Sequence, residues 1–221
     1  FVASVAPELR IPETYAVFRS AEALVGFNLS QPYVAKPTHS SGVVVLKPDG
    51  GSLSEPEIAK LRRSMGRSYY LAGGEIQYKY LPRKIIVEEF VGQPPTVAPD
   101  FKLQFFEGAF QHCYVLLDRH TDPRPLFIDE EGTPISMEYR TTLVDSDLQF
   151  YEGPFQAPDR YQEMIRIGGE LSKPFSFCRV DMFPQDGEIF FGELTFSPGN
   201  CLYSYLPKSF MAVMHADHRS G

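Results

Sequence analysis

The sequence predicts an α+β protein of two lobes, and three features of its 221 residues support this reading. Apolar runs of strand length alternate with turns rich in Pro, Gly and Asp. Two segments carry helical spacing of apolar residues behind a capping-box pattern. A Val-Gly-Gln-Pro-Pro stretch at 91–95 reads as a hinge between a small β-rich part and a larger α+β part. Hydrophobic residues make up 43% and charged residues 22%, ordinary globular usage that excludes a largely disordered chain.

In chain order, residues 9–31 read as mixed, with a weak helix at 20–25. Residues 32–37 read as a short strand ended by proline, 38–42 as a polar loop, 43–47 as a second strand and 48–51 as a turn. Ser54 and Glu57 stand three apart before Ile58, Leu61 and Met65, which share one helical face. Residues 84–90 form a buried-strand pattern running into the hinge. Residues 101–106 and 110–117 flank Glu107-Gly108-Ala109 as a hairpin, and 122–158 read as long loops. Asp159 and Gln162 repeat the capping spacing before Met164, Ile165, Gly168 and Leu171, with Pro174 as the stop. Residues 175–182 and 188–196 then read as two strands joined by Pro184-Gln185-Asp186-Gly187. The expected divisions are a lead-in at 1–30, a small lobe at 31–92, a large lobe at 93–210 and a tail at 211–221. Phe1 is not an initiator Met and residues 1–5 begin abruptly, which suggests a chain cut from something longer or one that has lost an upstream element.

A net charge of −7 excludes a general nucleic-acid binder, yet leaves room for one anionic ligand in a locally basic cleft. No apolar run approaches the ~18 residues of a membrane span, and no secretory leader is legible, so a cytoplasmic protein is expected. Cys113, Cys178 and Cys201 are too few and too widely spaced for a zinc cluster and read as reduced thiols. His112, His120, His215 and His218 lack metal-site spacing. Tyr69-Tyr70 and Tyr78-x-Tyr80 read as core or interface, with a glycan platform as the other use.

The chemistry concentrates in Arg179-Val180-Asp181 and Gly192-Glu193-Leu194-Thr195-Phe196. Residues two apart in a strand point the same way, so Arg179 shares a face with Asp181, and Glu193 with Thr195. An antiparallel register about the 185–187 turn brings Asp181 beside Glu193, where the two carboxylates repel unless a cation sits between them. Mg²⁺, a hard ion taking oxygen ligands at ~2.0–2.1 Å, suits that place, with Arg179 forked onto a phosphate. A plain cross-strand ion pair is the other reading of Arg-x-Asp. Lys36 ends a strand before a small-residue loop that suits phosphate, though such a lysine is also commonly solvated. Glu88 and Glu89 alternate at the hinge, one of them free to face water, and Asp100 suits either ribose hydroxyls or a turn cap. His39 stands in the loop, on a phosphate or in solvent.

The order of Tyr33-Val34-Ala35-Lys36-Pro37, the Ser40-Ser41-Gly42 loop, Ile85-Ile86-Val87-Glu88-Glu89-Phe90-Val91, Arg179-Val180-Asp181 and Gly192-Glu193-Leu194-Thr195-Phe196 resembles the ATP-grasp superfamily. Asp100-Phe101-Lys102 followed by Phe106-Glu107-Gly108 is similar to its teichuronopeptide-biosynthesis group in particular, and the resemblance spans about 12–199. It implies an ATP-grasp fold with a nucleotide held between two α+β lobes, without a full N-terminal pre-ATP-grasp domain. It implies Lys36 on the α- and β-phosphates, with Thr38, His39, Ser40, Ser41 and Gly42 closing over the triphosphate. Glu88 or Glu89, with the backbone of Phe90 and Val91, would take adenine, and Asp100 the ribose. Asp181, Glu193 and Thr195 would ligate Mg²⁺, with Arg179 and Lys102 as catalytic groups near the transferring phosphoryl. The sequence departs from the superfamily at Thr195, where many members carry Asn, and has no Lys before Lys36. The implied activity is ATP-dependent carboxylate–amine ligation through an acyl phosphate, joining an amino acid or sugar acid in cell-surface polysaccharide or peptide-polymer biosynthesis. The alternatives are a small-molecule kinase and a silent nucleotide- or glycan-binding module.

Overall fold

The computed structural model describes residues 1–73, 76–117, 123–135, 138–141, 150–198 and 203–206. The chain divides into two compact units, one of Arg10–Ala98 and one of Phe1–Leu9 with the chain from Pro99 onward. The expected tail at 211–221, and His120, His215, His218 and Cys201, lie outside the described residues.

The Arg10–Ala98 unit is a four-stranded antiparallel sheet packed on a helix. Its strands are β1 (Thr14–Phe18), β2 (Tyr33–Pro37), β3 (Val45–Lys47) and β4 (Ile85–Glu89), in the order β1-β4-β2-β3. Helix α1 (Glu55–Met65) starts as the capping box predicts, with Glu57 accepting the Ser54 backbone N–H at 2.7 Å. Tyr33, Ala35, Ile85 and Val87 alternate inward and bury with Ile58 and Leu61. Val34, Lys36, Ile86 and Glu88 thereby occupy the opposite face.

Three expectations change here. The lead-in is divided between the units: Thr14–Phe18 adds an edge strand beside β4, while Ala6 and Leu9 bury in the other unit's core. The helix at 20–25 shrinks to one 3-10 turn, Glu22–Leu24, held by buried Leu24. The Pro-rich hinge is not a free linker either. Gly92–Gln93 pairs with Thr96–Val97 around the two prolines, so the division falls after Ala98.

The second unit is a six-stranded antiparallel sheet covered by one helix. Its strands are β5 (Asp100–Phe106), β6 (Ala109–Leu117), β7 (Arg124–Ile128), β8 (Pro134–Ile135), β9 (Phe177–Gln185) and β10 (Glu188–Thr195). They lie in the order β8-β7-β6-β5-β9-β10. Helix α2 (Tyr161–Ser172) presses Met164, Ile167 and Leu171 onto Phe101, Leu103, Phe105, Val180 and Met182. The β9–β10 hairpin forms as expected, with positive φ at Asp186 and Gly187 giving the tight turn.

The stretch expected as loops contains β7, which pairs along β6 and buries Leu126, Phe127 and Ile128. Pro125 disguised it, since a proline inside an apolar run argues against a strand. A further pair, Glu138–Thr141 with Tyr203–Leu206, lies outside the main sheet. The second capping box is absent. Helix α2 begins after Arg160, whose guanidinium pairs with Glu163, and no side chain caps it.

At Gly168 a Cβ would stand 2.4 Å from Cζ of buried Phe105, so helix and sheet approach too closely for any side chain. Gly168→Ala is expected to destabilise the protein by ~1–3 kcal/mol through overpacking. At neighbouring Gly169 the nearest contact is an ordinary 3.4 Å, so Gly169→Ala is expected to be neutral or stabilising through helix propensity. Urea unfolding midpoints of the two variants check these opposite signs.

Candidate functional site

Strand β5 serves both faces of its sheet. Phe101, Leu103 and Phe105 point to α2, while Asp100, Lys102 and Gln104 share the other face. On β9, Cys178, Val180 and Met182 enter the core, leaving Arg179 and Asp181 beside them. The register sets Asp181 against Lys102 on one side and Glu193 on the other, and Arg179 against Gln104 and Thr195.

These side chains form one network. Lys102 Nζ donates to Asp181 Oδ2 at 2.5 Å and lies 2.8 Å from Asp100 Oδ2. Arg179 Nε donates to Asp181 Oδ1 at 2.7 Å. Its Nη2 bridges Asp181 Oδ2 and Glu193 Oε1, both at 2.8 Å. Thr195 Oγ1 donates to Glu193 Oε1, also at 2.8 Å. Asp181 is 2% exposed and Lys102 8%. Burial by itself raises the Asp181 pKa, but Arg179 and then Lys102 outweigh it and hold the carboxyl below the usual range. For Arg179, burial works to lower the pKa, and the carboxylates of Asp181 and Glu193 overcome it, so the shift is upward.

The cation between Asp181 and Glu193 is therefore the Arg179 side chain, which relieves the repulsion ascribed above to a metal. Two more assignments change. Asp100 is buried in its pair with Lys102, which turns it from a ribose contact into a support for that lysine. Thr195 donates its hydroxyl proton to Glu193, which gives it the added part of orienting that carboxylate, its oxygen lone pairs remaining available to a cation.

Among the described residues no group of three or more His, Cys, Asp or Glu is arranged as a metal cluster. The donor chemistry nevertheless fits a hard divalent ion. All the acceptors are oxygens, three carboxylates face two cations, and Glu193 Oε2 has no partner among the described residues.

The first unit carries its own polar set. Lys36 and Glu88, diagonal neighbours across β2 and β4, form an ion pair with each other. Glu89 is engaged elsewhere: it accepts from Arg10 at 2.7 Å and from the Glu13 backbone N–H at 3.1 Å. This removes it from the adenine set. His39 turns inward, buried, with Nε2 3.2 Å from the Ser64 carbonyl oxygen. Ser40 meets the Ser64 hydroxyl at 3.0 Å, so both residues fasten the loop to α1 instead of facing phosphate. Ser41 and Gly42 remain exposed. Phe90 is buried, and the Val91 carbonyl accepts the Ala98 N–H within the Pro-rich hairpin.

Sequence reasoning missed Gln104 and His112. Their side chains meet at 3.0 Å, next to Arg179 on the polar face, and burial pushes the His112 pKa down to about 4. The alternation Asp100-x-Lys102-x-Gln104 was the available signal.

The TupA-like ATPgrasp family profile matches residues 1–216. No curated protein matches the sequence. A D-alanine–D-alanine ligase structure from Bacillus anthracis is 14% identical with a TM-score of 0.44, covering 96% of this chain and 59% of that one. The corresponding ligase from Helicobacter pylori is 15% identical with a TM-score of 0.49, covering 87% and 50%. The ATP-grasp ligase PsnB, with minimal precursor, Mg and ADP, is 11% identical with a TM-score of 0.43, covering 89% and 47%. The chain thus spans 47% to 59% of the length of these structures.

Because the Asp181 carboxyl is held low, its ionisation stabilises the fold above the unfolded value of ~3.9, and this contribution is lost as pH falls through the depressed folded value. Asp181→Asn is expected to destabilise the protein at pH 7 by ~3–5 kcal/mol, since Lys102 and Arg179 lose a buried partner. Denaturation between pH 7 and pH 3 should show the gap to wild type narrowing below about pH 4.

Proposed function

Since the chain belongs to the TupA-like ATP-grasp family, we propose that it is an ATP-dependent carboxylate–amine ligase of cell-surface polysaccharide or peptide-polymer biosynthesis. The supporting observation is the register that places Arg179, Asp181, Glu193 and Lys102 on one polar sheet face. A carboxylate oxygen of the substrate attacks the γ-phosphorus of ATP, the bond to ADP breaks, and an acyl phosphate results. The amine nitrogen of an amino acid then attacks the acyl carbon of the activated amino acid or sugar acid. Phosphate leaves with the C–O electron pair, the amine gives up a proton, and an amide remains.

The protein's part is placement and charge compensation. Asp181 and Glu193 are the residues that would hold Mg²⁺, and Thr195 fixes the orientation of Glu193. When bound, the ion supplies neutralisation of phosphate charge. Arg179 offers a planar guanidinium to the transferring phosphoryl group, and Lys102 a point charge held ready by Asp100. In the other unit, Lys36 exchanges Glu88 for phosphate, Ser41 and Gly42 present backbone N–H groups, and Glu88 takes the adenine amino group. Among the described residues no helix is long and apolar enough to cross a membrane. The reading places the work in the cytoplasm, where ATP is.

Incubation with ATP, Mg²⁺ and panels of amino acids and uronic acids is expected to give ADP, phosphate and an amide that mass spectrometry detects. ADP with a phosphorylated hydroxyl product would establish a kinase instead, and nucleotide binding without turnover a silent module. Glu193→Gln, at a half-exposed position, is expected to stay folded and lose turnover by ~100-fold or more. Thr195→Val is expected to cost ~10–100-fold in kcat, with Thr195→Ser restoring most of it, because the hydroxyl orients Glu193.

A further inference from the structure

The stretch from the end of α1 to β4 differs in charge from the rest of the molecule. Residues 60–84 contain seven Lys and Arg and one acid, Glu75, in a chain of net charge −7. Arg62 is neutralised by Glu22 and Glu55, and Lys60 donates to the Val44 carbonyl oxygen. Arg63, Arg67, Lys79 and Arg83 are exposed and have no acidic partner among the described residues. Arg83 Nη1 donates to the Met65 carbonyl oxygen at 3.0 Å, which ties the end of the stretch back to α1. The Tyr69 and Tyr78 rings meet edge-on at 4.8 Å, and Lys79 lies over the rings of Tyr70 and Tyr80. Lys79 and the rings therefore form one local cluster, and Arg83 ties the same stretch to the end of α1, where Arg63 and Arg67 follow one another along the chain.

Large apolar side chains stand open in the same place. Leu71 is 81% exposed, Tyr80 78% and Leu81 43%. A soluble polyanion explains the cations and leaves the leucines without a use. A bilayer of anionic lipids uses both: leucine and tyrosine enter the headgroup–acyl boundary, and arginine and lysine meet the lipid phosphates. Lysine stacked on tyrosine suits that boundary, where the ring is half apolar and the ammonium stays in water.

We propose that this cationic, leucine-bearing surface docks the protein on an anionic membrane, with Leu71, Tyr80 and Leu81 inserted. Such docking holds an enzyme beside lipid-borne material without any spanning segment. It involves none of the residues assigned above to nucleotide or metal.

The test is co-sedimentation with phosphatidylcholine vesicles containing about a third phosphatidylglycerol, against pure phosphatidylcholine. Wild type is expected to pellet with the anionic vesicles alone and to be released by high salt. A triple variant, Arg63→Gln with Arg67→Gln and Lys79→Gln, is expected to bind at least tenfold more weakly, as is Leu71→Ser with Leu81→Ser. The chain has no tryptophan, so Leu71→Trp supplies a single indole. Its emission should shift to the blue with anionic vesicles and stay unchanged with polyglutamate or a polyuronate. No vesicle binding, binding indifferent to the leucines, or a preference for the soluble polyanion each overturns the proposal. ATP-analogue binding by the same variants is read separately, and its failure bears only on the ligase reading.

Discussion

The carboxylate of Asp181 takes hydrogen bonds from Arg179 and Lys102, both of them also buried from most solvent. Bringing three such charges out of water is costly, and their attraction repays it only when every donor is matched by an acceptor. Here the matching extends outward, through Asp100 to Lys102 and through Glu193 and Thr195 to Arg179. The network fixes β5, β9 and β10 relative to one another at one end of the sheet, because a displaced strand would strand a buried charge. Under the proposed function it also holds charged groups in place before a ligand arrives, so little reorganisation would be left for the reaction.

That precision depends on the opposite face. Phe101, Leu103 and Phe105 hold β5 against α2, and Cys178, Val180 and Met182 do the same for β9. A slip of one residue would turn every one of those side chains outward and bury Asp100, Lys102 and Arg179 under the helix. Core packing and site geometry are thus one constraint read from two sides. The approach allowed by Gly168 is part of it, since α2 seated higher would loosen the grip on Phe105. Burial on this face also explains why the Cys178 thiol, one residue from Arg179, is pushed up to about 12 and stays inert.

What the sequence disclosed follows from the range of the interactions involved. Pairing of Asp181 with Glu193 was legible because a two-residue turn at Asp186-Gly187 sets the register locally. Identification of Arg179 as the intervening cation was not, because a face-sharing argument says which residues meet and not which charge lies between them. Strand β7 was hidden by Pro125, which as the partner of Leu116 is tolerated in the ladder. Glu89 resembled Glu88 until its contacts to Arg10 and Glu13, more than seventy residues away, became visible. His39 sits in a polar loop, and nothing in its neighbours signals that Ser64 of α1 draws the ring inward.

The two units hold their ion pairs on different terms. The Lys36 side chain is 40% exposed, and pairs in that setting contribute only ~0–1 kcal/mol, so the exchange of Glu88 for a phosphate that the proposed function requires would cost little. The Lys102 side chain is 10% exposed and Asp181 3%, and no ligand exchange there is cheap. Glu193 is more exposed than Lys36, its side chain 48% open, although one oxygen is already committed to Arg179 and Thr195. Charged groups that must change partners during a reaction belong where solvent lowers the barrier to exchange, and those that must keep their aim belong where it does not. By that criterion Lys36 and Glu193 are the groups that change partners in the proposed function, while Asp181, whose Oδ1 takes a single hydrogen bond among the described residues, would add an ion without releasing Arg179 or Lys102.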